Sequence, residues 1–584
     1  SDTGRYIIRH STAHLMAQAV QELFPGTQVT IGPVIENGFY YDFGTDRPFT
    51  DEDLRRIEEK MQEIVKRDLP IRREVFSRDE AIATFDKLGE KYKVEIIQGI
   101  PGDEPLSVYR QGEWFDLCRG PHVPSTGRLG AFRLTSVAGA YWRGDERNAM
   151  LQRIYGTAWA DKEQLEAHLK QVEEAKARDH RKLGKELDLF HFHPFAPGAA
   201  FWTPNGTTVY QTLSQYMREM ALANGYVEIK TPLLFNKGLW EISGHWGKYR
   251  ENMFLVLDSE SGEHDFSLKP MNCPSHHLLY ASKRRSYREL PVRYATQDVL
   301  HRNEVSGALS GLTRVRQFQQ DDAHIYMMES QVVEEVRRLV AMVDYFYQSL
   351  GLRYHAKFAT RPERRVGDDA LWDRAEAGLR NALDAIGLPY ELKEGDGAFY
   401  GPKIDFDVED AIGRSWQLGT IQLDYQNPEL FDLWYVGDDN ADHRPVIIHR
   451  AIFGSFERFI AILIEHFAGA FPLWLAPEQV RVMAITDEVV DSARELVDQL
   501  ADAGLRAHLD ERAETLNYKI RDAETMKVPF MAVIGVREAS AGTVAVRARG
   551  AGRKQEIMPR AEFIDRLLGE VKSKALPPIH PSAP

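Results

Sequence analysis

Apolar residues recur at helical spacing near the start of the chain. Leu15, Ala19 and Leu23 would share one face of a helix over residues 10–24, and Pro25-Gly26 would end it. The segments TQVTIGPVI and GFYYDF then alternate apolar and polar positions, which is typical of strands. This mixture predicts an α+β module over residues 1–160.

Charged residues dominate the segment 161–187. Its apolar positions Leu165, Leu169 and Val172 form one narrow stripe, so we expect a mostly solvated connecting helix. The run HPFAPGAAFWTPNG is rich in proline and glycine and indicates the start of a new domain.

Strand and helix patterns alternate over residues 188–473. ALWDRAEAGLRNALDAIG has helical periodicity, whereas GRSWQLGTIQLDY is typical of a strand. Irregular loops separate the strands, which favours an antiparallel sheet flanked by helices. After FPLWLAPEQ, residues 474–575 predict a small α/β unit with a largely parallel sheet, and residues 576–584 a disordered tail.

Composition narrows the functional classes. The length of 584 residues fits several domains. The chain contains no run of 18 apolar residues, so we expect no membrane span. The N-terminus has no signal-peptide layout and becomes amphipathic almost at once, which leaves room for a further module upstream in the native protein.

Only Cys118 and Cys273 are present, which argues against a disulfide framework and fits a reducing cytoplasm. A net charge of −14 argues against nonspecific coating of nucleic acid but not against a local RNA-binding surface.

Three segments of the central domain carry the strongest functional signal: LKPMNCPSHH (268–277), LHRNEVSGALSGLTRVRQFQQDDAHIY (300–326) and HRAIFGSFERFIAIL (449–463). Together they resemble the active site of class II aminoacyl-tRNA synthetases, specifically of threonyl-tRNA synthetases. HRNE with FQQDDAH resembles motif 2, GSFERFIA resembles motif 3, and GYVEIKTPLL resembles motif 1, which lies at the family's dimer interface. The resemblance covers nearly the whole chain, as an editing domain (1–160), a catalytic domain (188–473) and an anticodon-binding domain (474–575).

The resemblance implies that threonine is activated with ATP before transfer to tRNA. Arg302 would clamp the α-phosphate and the threonine carboxylate, and Arg458 the γ-phosphate, because a guanidinium group contacts oxyanions through two parallel hydrogen bonds. Glu304 would bind the adenine edge and Phe318 would stack on its face, while Arg314 aligns with a further ATP contact. Mg²⁺ would accompany ATP as a charge partner.

Cys273, His324 and His449 match the family's zinc ligands. One thiolate and two imidazoles suit Zn²⁺, and three protein ligands leave one position open for the substrate. Their wide spacing is not a zinc-finger pattern, so the assignment rests on the resemblance. His276 and His277 follow the cysteine, and we expect at most one of them to join a site because adjacent side chains point apart on a strand or a helix.

In the family this zinc holds the amino and hydroxyl groups of threonine. A site that must coordinate a hydroxyl strongly rejects valine, which lacks one. His245 matches a histidine proposed to assist transfer to the tRNA hydroxyl. The other positions that match the family's substrate pocket are Met271, Gln320, Asp322, Tyr400, Lys403, Gln417, Thr420 and Gln422.

Serine poses the opposite problem, because it keeps the hydroxyl and loses only a methyl group. That methyl is worth about 1–3 kcal/mol, or about 10–200-fold, so a second, hydrolytic site is expected. His10 and His14 would share one helix face, and Cys118 and His122 follow in WFDLCRGPHV. From residue types alone, these four predict a metal site.

The resemblance indicates a different role for this histidine–cysteine quartet. The same residues mark the editing domain of bacterial-type threonyl-tRNA synthetases, in which seryl-tRNA is hydrolysed without zinc. His10, Lys93 and Asp116 would then position water and substrate as general-base and hydrogen-bonding groups. A related alanine-specific editing family does bind zinc through such a quartet, so both alternatives stay open at this point.

The C-terminal unit resembles the anticodon-binding domain of the same synthetases. Arg521, Glu538 and Arg547 align with anticodon contacts, and Ala513 replaces an asparagine that often contacts a base. Two rival interpretations are a metal-dependent hydrolase built on the quartet and a catalytically inactive RNA-binding relative. Arg302 and Arg458 argue against both, and the intact set of Cys273, His324 and His449 also argues against the second. We therefore expect a homodimeric, cytoplasmic enzyme that charges threonine tRNA and clears serine errors.

Overall fold

The computed structural model describes residues 1–102, 106–260 and 262–576. It divides into two compact units, Ser1–Glu173 and Glu174–Pro584. Most of the predicted disordered tail, residues 577–584, lies outside the described residues. Across the described ranges, no helix is both long and apolar enough to cross a bilayer.

The first unit packs a long helix against an antiparallel sheet. The helix Asp2–Leu23 begins earlier than predicted because Ser1 caps it, accepting a hydrogen bond from the Gly4 amide at 3.3 Å. The strands of this sheet are Gln28–Val29, Val34–Ile35, Gly38–Gly44, Ala131–Tyr141 and Met150–Trp159. The helix Asp51–Arg67 completes this core.

A smaller sheet and two short helices form the rest of the first unit. Its strands are Ile71–Phe76, Leu106–Gln111 and Trp114–Leu117, and all pairings are antiparallel. The helices Arg78–Lys87 and Lys91–Gly99 precede the second of these strands. Their apolar residues share a small core with that sheet.

The segment 161–187 forms two helices, Lys162–Arg178 and His180–Glu186, instead of the single solvated helix that the charge pattern predicts. The side chain of Asp179 caps the second helix by accepting a hydrogen bond from the Arg181 amide at 2.8 Å. Leu183 joins the main apolar core of the second unit. The prediction of one continuous helix was wrong because Asp179 interrupts the run and caps a second helix. The prediction of a mostly solvated segment was wrong at Leu183, which is buried.

A nine-stranded sheet forms the centre of the second unit. In spatial order, its main path is Val227–Glu228, Val292–Thr296, Gln317–Met327, Val446–Ser455, Ser415–Asp424, Lys403–Glu409, Arg353–Ala359 and Tyr390–Lys393, with Val299–His301 paired to Gln317–Met327. The outermost pairing at each end is parallel and the others are antiparallel.

Four long helices share the core with this sheet: Pro204–Ala223, Val332–Gln348, Asp369–Ile386 and Phe456–His466. The predicted antiparallel sheet flanked by helices is thus confirmed. Shorter elements surround it, namely the strands Phe190–Phe192, Ala200–Trp202, Leu234–Asn236, Leu255–Val256 and Phe266–Leu268 and the helices Lys237–Ile242, His245–Lys248, Cys273–Ala281 and Asn427–Leu430.

The C-terminal part contains a five-stranded sheet in the order Ala507–Leu509, Val480–Ala484, Phe530–Ile534, Thr543–Ala548 and Glu556–Pro559. Its helices are Val490–Asp502, Leu516–Thr525, Val536–Ala541 and Arg560–Ser573. The first two pairings are parallel and the last two antiparallel. The prediction of a largely parallel sheet is therefore wrong for two of the four strand pairings. The connections 535–542 and 549–555 are shorter than the dozen or so residues that a parallel crossover needs.

Candidate active sites

Strand register in the nine-stranded sheet brings distant residues into one row. His324 is paired with His449, His449 with Gln422, and Gln422 with Lys403. Asp322 lies two residues before His324, and alternate residues of a strand face the same side of a sheet. Residues that are far apart in sequence therefore meet on one face of the sheet.

Cys273 starts a short helix whose first turn meets this row. The potential ligand atoms of Cys273, His324 and His449 lie within 4.8 Å of one another, and all three residues are buried. His449 Nε2 lies 2.7 Å from Asp424 Oδ2, and His324 Nδ1 lies 2.8 Å from His276 Nδ1. Such bonds orient an imidazole ring and leave its other nitrogen for a metal.

The charges around this cluster suit a cation. Burial raises the pKa of the Cys273 thiol well above its usual value, and the carboxylates of Asp322 and Asp424 raise it further. Burial also lowers the pKa of His324 well below its usual value, which leaves a neutral imidazole. A divalent ion stabilises a buried thiolate, so this donor set fits Zn²⁺.

Both His276 and His277 lie beside this cluster, and of the two His277 falls into a group of potential metal ligands, with Asp424 and His449. His276 contacts His324, and the ring centre of His277 lies 5.8 Å from that of His324 and 5.9 Å from that of His449. Successive side chains of a helix diverge by about 100° rather than 180°. Two adjacent histidines can therefore border the same site.

An open cavity of about 700 Å³ gathers the predicted ATP-site residues, and it is lined by Arg302, Glu304, Arg314, Phe318, Gln320, Gln417 and Arg458 among others. The Arg302 guanidinium carbon lies 5.1 Å from the centre of the Phe318 ring, and Arg314 Nε donates to Glu304 Oε2 at 3.0 Å. Three guanidinium groups around one cavity suit a polyphosphate.

Arg458 has an unused hydrogen-bond donor in this cavity. Its Nε is buried and has no hydrogen-bond partner within the part of the chain that the structure describes. Burial also lowers the pKa of its guanidinium group. An unpaired buried donor is costly, so an anion at this position would stabilise the site.

Other predicted pocket residues contact one another or close neighbours. Tyr400 donates its hydroxyl hydrogen to Gln422 Oε1 at 2.5 Å, and Lys403 Nζ lies 2.6 Å from Asp405 Oδ2. Thr420 is paired with Asp405 in the sheet. These contacts hold polar groups in place on the face of the sheet that carries His449.

His245 lies in the same region of the second unit. Its Nε2 is 3.0 Å from Met271 Sδ, and its Nδ1 is 2.8 Å from Ser243 Oγ. Burial, with a smaller effect of the Arg302 charge, lowers the pKa of His245 to about 4. The ring is therefore neutral near pH 7 and able to accept a proton.

A second cluster lies in the first unit. The potential ligand atoms of His10, His14, Cys118 and His122 fall within 4.8 Å of one another. Cys118 Sγ lies 3.1 Å from His10 Nε2 and 3.2 Å from His122 Nε2. Burial lowers the pKa of His122 to about 2 and raises the pKa of Cys118 to about 12.

Lys93 and Asp116 adjoin this quartet and form a buried ion pair. Lys93 Nζ lies 2.5 Å from Asp116 Oδ1, and His14 Nε2 lies 3.9 Å from Asp116 Oδ2. Tyr41 donates a short hydrogen bond to Asp116 and accepts one from Lys93 Nζ at 3.0 Å. The structure thus brings all six predicted editing residues together and adds a tyrosine.

The three predicted anticodon residues lie on three elements of the C-terminal part. Arg521 is exposed on the helix Leu516–Thr525. Glu538 Oε2 accepts a hydrogen bond from the Gly535 amide at 3.0 Å and so caps its own helix. Arg547, on the strand Thr543–Ala548, pairs with Glu524. Two of the three therefore have structural partners within this domain.

Several buried polar neighbours were missed by the sequence reasoning. Asn272 Nδ2 donates to Asp322 Oδ2 at 3.1 Å, and Asp424 orients His449. Asp424 and Tyr41 both lie in strands, and a polar residue among buried strand positions was the available signal. Their partners depend on register and on distant segments, which the local pattern does not specify.

Comparison with known families matches three parts of the chain. Residues 254–467 match the core domain of class II tRNA synthetases (G, H, P, S and T), and residues 479–570 match an anticodon-binding domain. Residues 106–155 match the second additional domain of threonyl- and alanyl-tRNA synthetases. The nine-stranded sheet with its arginine-lined cavity is thus the core of a class II tRNA synthetase.

Relatives that match nearly the whole chain show to which family within this class it belongs. Threonine–tRNA ligase of Myxococcus xanthus is 62% identical, with 98% of this chain and 89% of that protein covered. The enzyme of Carboxydothermus hydrogenoformans is 52% identical, with 98% and 90% covered. The RNA-binding domain of threonyl-tRNA synthetase from Cryptosporidium parvum superimposes with a TM-score of 0.65 at 42% identity, over 67% of this chain and 98% of that one. The chain belongs to the threonine–tRNA ligase family.

Proposed function

We propose that the cavity of the second unit binds ATP next to a threonine pocket and forms threonyl-adenylate there. The threonine carboxylate attacks the α-phosphorus, and pyrophosphate leaves with the electrons of the broken bond. Arg302 balances charge at the α-phosphate, and Arg458, with its unpaired Nε, binds the γ-phosphate. The convergence of these arginines with the Cys273–His324–His449 row supports this proposal. Mg²⁺ accompanies ATP.

Cys273, His324 and His449 would hold one Zn²⁺ per chain. When bound, zinc would coordinate the amino and hydroxyl groups of threonine and exclude valine. Asp424 and His276 orient the two imidazoles, and Asp322 supplies a carboxylate beside the substrate amino group. Gln320, Tyr400, Lys403, Gln417, Thr420 and Gln422 complete the pocket around the amino acid and ATP. His245, beside Met271 and neutral at pH 7, would accept the proton of the tRNA hydroxyl during transfer.

The first unit would hydrolyse seryl-tRNA without a metal. Lys93 already places a positive charge beside the quartet and neutralises Asp116, which disfavours a further cation. Cys273, in contrast, has the carboxylates of Asp322 and Asp424 nearby. Burial lowers the pKa of His10, so a neutral ring is available to orient water as a general base.

The remaining assignments complete the reaction cycle. Arg521, Glu538 and Arg547 would contact the anticodon. For the editing, catalytic and anticodon-binding domains, we keep the boundaries predicted from the sequence. Exposed apolar residues of motif 1, with Val227 58% and Leu234 46% exposed, favour a homodimer through this segment. The two free cysteines fit a reducing cytoplasm.

Pyrophosphate exchange into ATP tests the synthetic reaction. With Zn²⁺ and Mg²⁺ present, we expect exchange with threonine, and at least about 10³-fold less with valine because its missing hydroxyl leaves polar groups unpaired. Arg302→Gln should abolish exchange, whereas Arg338→Gln, which changes an exposed arginine on the helix Val332–Gln348, should not.

Two results would contradict the proposal. Absence of threonine-dependent exchange in the zinc-loaded wild type would rule out adenylate formation at this site. Equal exchange with valine and threonine would rule out recognition of the hydroxyl group.

A further inference from the structure

His180 is a buried histidine outside the residues that have a proposed role. It begins the helix His180–Glu186 and is only 4% exposed. Its backbone amide and its Nδ1 lie 3.1 Å and 2.7 Å from Glu465 Oε1. Its Nε2 accepts a hydrogen bond from the Leu312 amide at 3.1 Å. These partners require the proton on Nδ1 and leave Nε2 as the acceptor.

The two partners of His180 belong to two walls of the ATP cavity. Glu465 lies near the end of the helix Phe456–His466, which carries Arg458 at its start. Leu312 lies in a turn closed by hydrogen bonds of 3.2 Å and 3.3 Å between the backbones of Ser310 and Arg314, and Arg314 lines the cavity. The imidazole of His180 therefore links the turn to the helix.

The carboxylate of Glu465 also contacts the segment that forms a third wall of the ATP cavity. Glu465 Oε2 pairs with Arg414, which directly precedes the strand Ser415–Asp424. Trp416 and Gln417 of that strand also line the cavity. Glu465 thus joins strand and helix, and His180 adds the turn to this network.

The turn lies directly against the imidazole. A Cβ atom on Gly311 would fall 2.2 Å from His180 Nε2, and Gly311 has a φ of +49°. Any other residue at this position would displace the ring or the turn. Glycine at position 311 therefore permits the hydrogen bond between Leu312 and His180.

A metal site is the alternative interpretation of this cluster, since the potential ligand atoms of Asp179, His180 and Glu465 lie within 4.8 Å of one another. Asp179 pairs with Arg181, however, and Glu465 pairs with Arg414 and His180. Both ring nitrogens of His180 are also in use. The cluster is therefore an ion-pair network.

We propose that His180 is a positioning residue for ATP, which sets the turn that carries Arg314 relative to the helix that carries Arg458. This inference rests on the proposed function, since the cavity must bind ATP. His180 does not touch the nucleotide. Its loss should therefore weaken ATP binding while threonine recognition is preserved.

Two isosteric variants separate the two hydrogen bonds. The amide of His180→Asn reaches the position of Nδ1 and keeps the Glu465 contact, whereas the amide of His180→Gln reaches the position of Nε2 and keeps the Leu312 contact. The backbone amide of residue 180 keeps its hydrogen bond to Glu465 in both variants, so only His180→Asn separates the turn from the helix. In threonine-dependent pyrophosphate exchange, we expect KM for ATP to rise roughly three- to tenfold in His180→Asn and to stay within about twofold of wild type in His180→Gln. KM for threonine should be unchanged in both variants, and Lys185→Ala, on an exposed face of the same helix, is the control.

Thermal unfolding of each variant shows whether a change reflects folding alone. Gly311→Ala provides a second probe, because it keeps His180 but separates the turn from it, and it should also raise KM for ATP. Equal KM values in the Asn and Gln variants, parallel rises for ATP and threonine, or a wild-type KM in Gly311→Ala would overturn the inference. A wild type without exchange would instead overturn the proposed function.

Discussion

At the residue scale, two clusters of the same donor types lie in different electrostatic surroundings. Cys273 and its two histidines have Asp322 and Asp424 nearby, so the surroundings are acidic. Cys118 and its three histidines adjoin Lys93, whose charge is paired with Asp116. Ligand type alone would assign zinc to both clusters, whereas the charges favour it only at the first.

Zinc content distinguishes the two clusters. We expect about one zinc per chain in the wild type and nearly none in Cys273→Ala, because one of only three ligands is lost. Cys118→Ala is the matched control and should keep one zinc, which elemental analysis of the purified proteins would measure. Two zinc ions in the wild type, with one lost in Cys118→Ala, would contradict this prediction.

The sequence indicated the residues of the candidate sites better than it indicated their partners. Arg302, Arg458 and Cys273 stand within long motif segments, which made them recognisable. Asp424 and Asn272 were missed because their roles depend on strand register and on contacts with distant segments. Local pattern specifies which face of an element is buried but not what it meets there.

At the element scale, the strand Val227–Glu228 is an edge of the nine-stranded sheet with exposed apolar neighbours. Leu222, Leu233 and Leu234 are also exposed, so the segment 222–234 exposes four large apolar side chains. A sheet edge of this kind is prone to pair with another chain. It therefore suits the dimer interface that motif 1 forms in the family.

A charge at this edge should separate the proposed dimer. We expect the wild type to have about twice the chain mass of 66.7 kDa in light scattering, and Val227→Lys to shift it towards the single-chain mass. Leu568→Lys is the control, because Leu568 is an exposed leucine on the helix Arg560–Ser573 and is not part of motif 1. A dimer that tolerates Val227→Lys as well as Leu568→Lys would place the interface elsewhere.

Periodicity predicted elements well where one face is buried along their whole length. The helix Asp369–Ile386 and the strand Ser415–Asp424 follow their patterns closely. The hydrophobic pattern did not predict the break between two helices at Asp179 or the antiparallel strands of the C-terminal sheet. A capping side chain decided the first, and short connections decided the second, so neither appears in a hydrophobic pattern.

At the scale of the whole molecule, the proposed synthetic site and the proposed editing site lie in separate units of the chain. A hydroxyl-binding pocket rejects valine but retains serine, which differs from threonine by about 1–3 kcal/mol of binding. The proposed threonine pocket of the second unit therefore excludes serine only incompletely. The quartet with Lys93 and Asp116 in the first unit supplies the proposed hydrolysis that completes it.

Accumulation of serine on threonine tRNA tests this division of labour most directly. In a reaction with serine, ATP and threonine tRNA, the account predicts almost no seryl-tRNA with the wild type and steady accumulation with His10→Ala, while threonine charging stays normal. If His10→Ala accumulates no more seryl-tRNA than the wild type, the N-terminal cluster is not the site that removes serine.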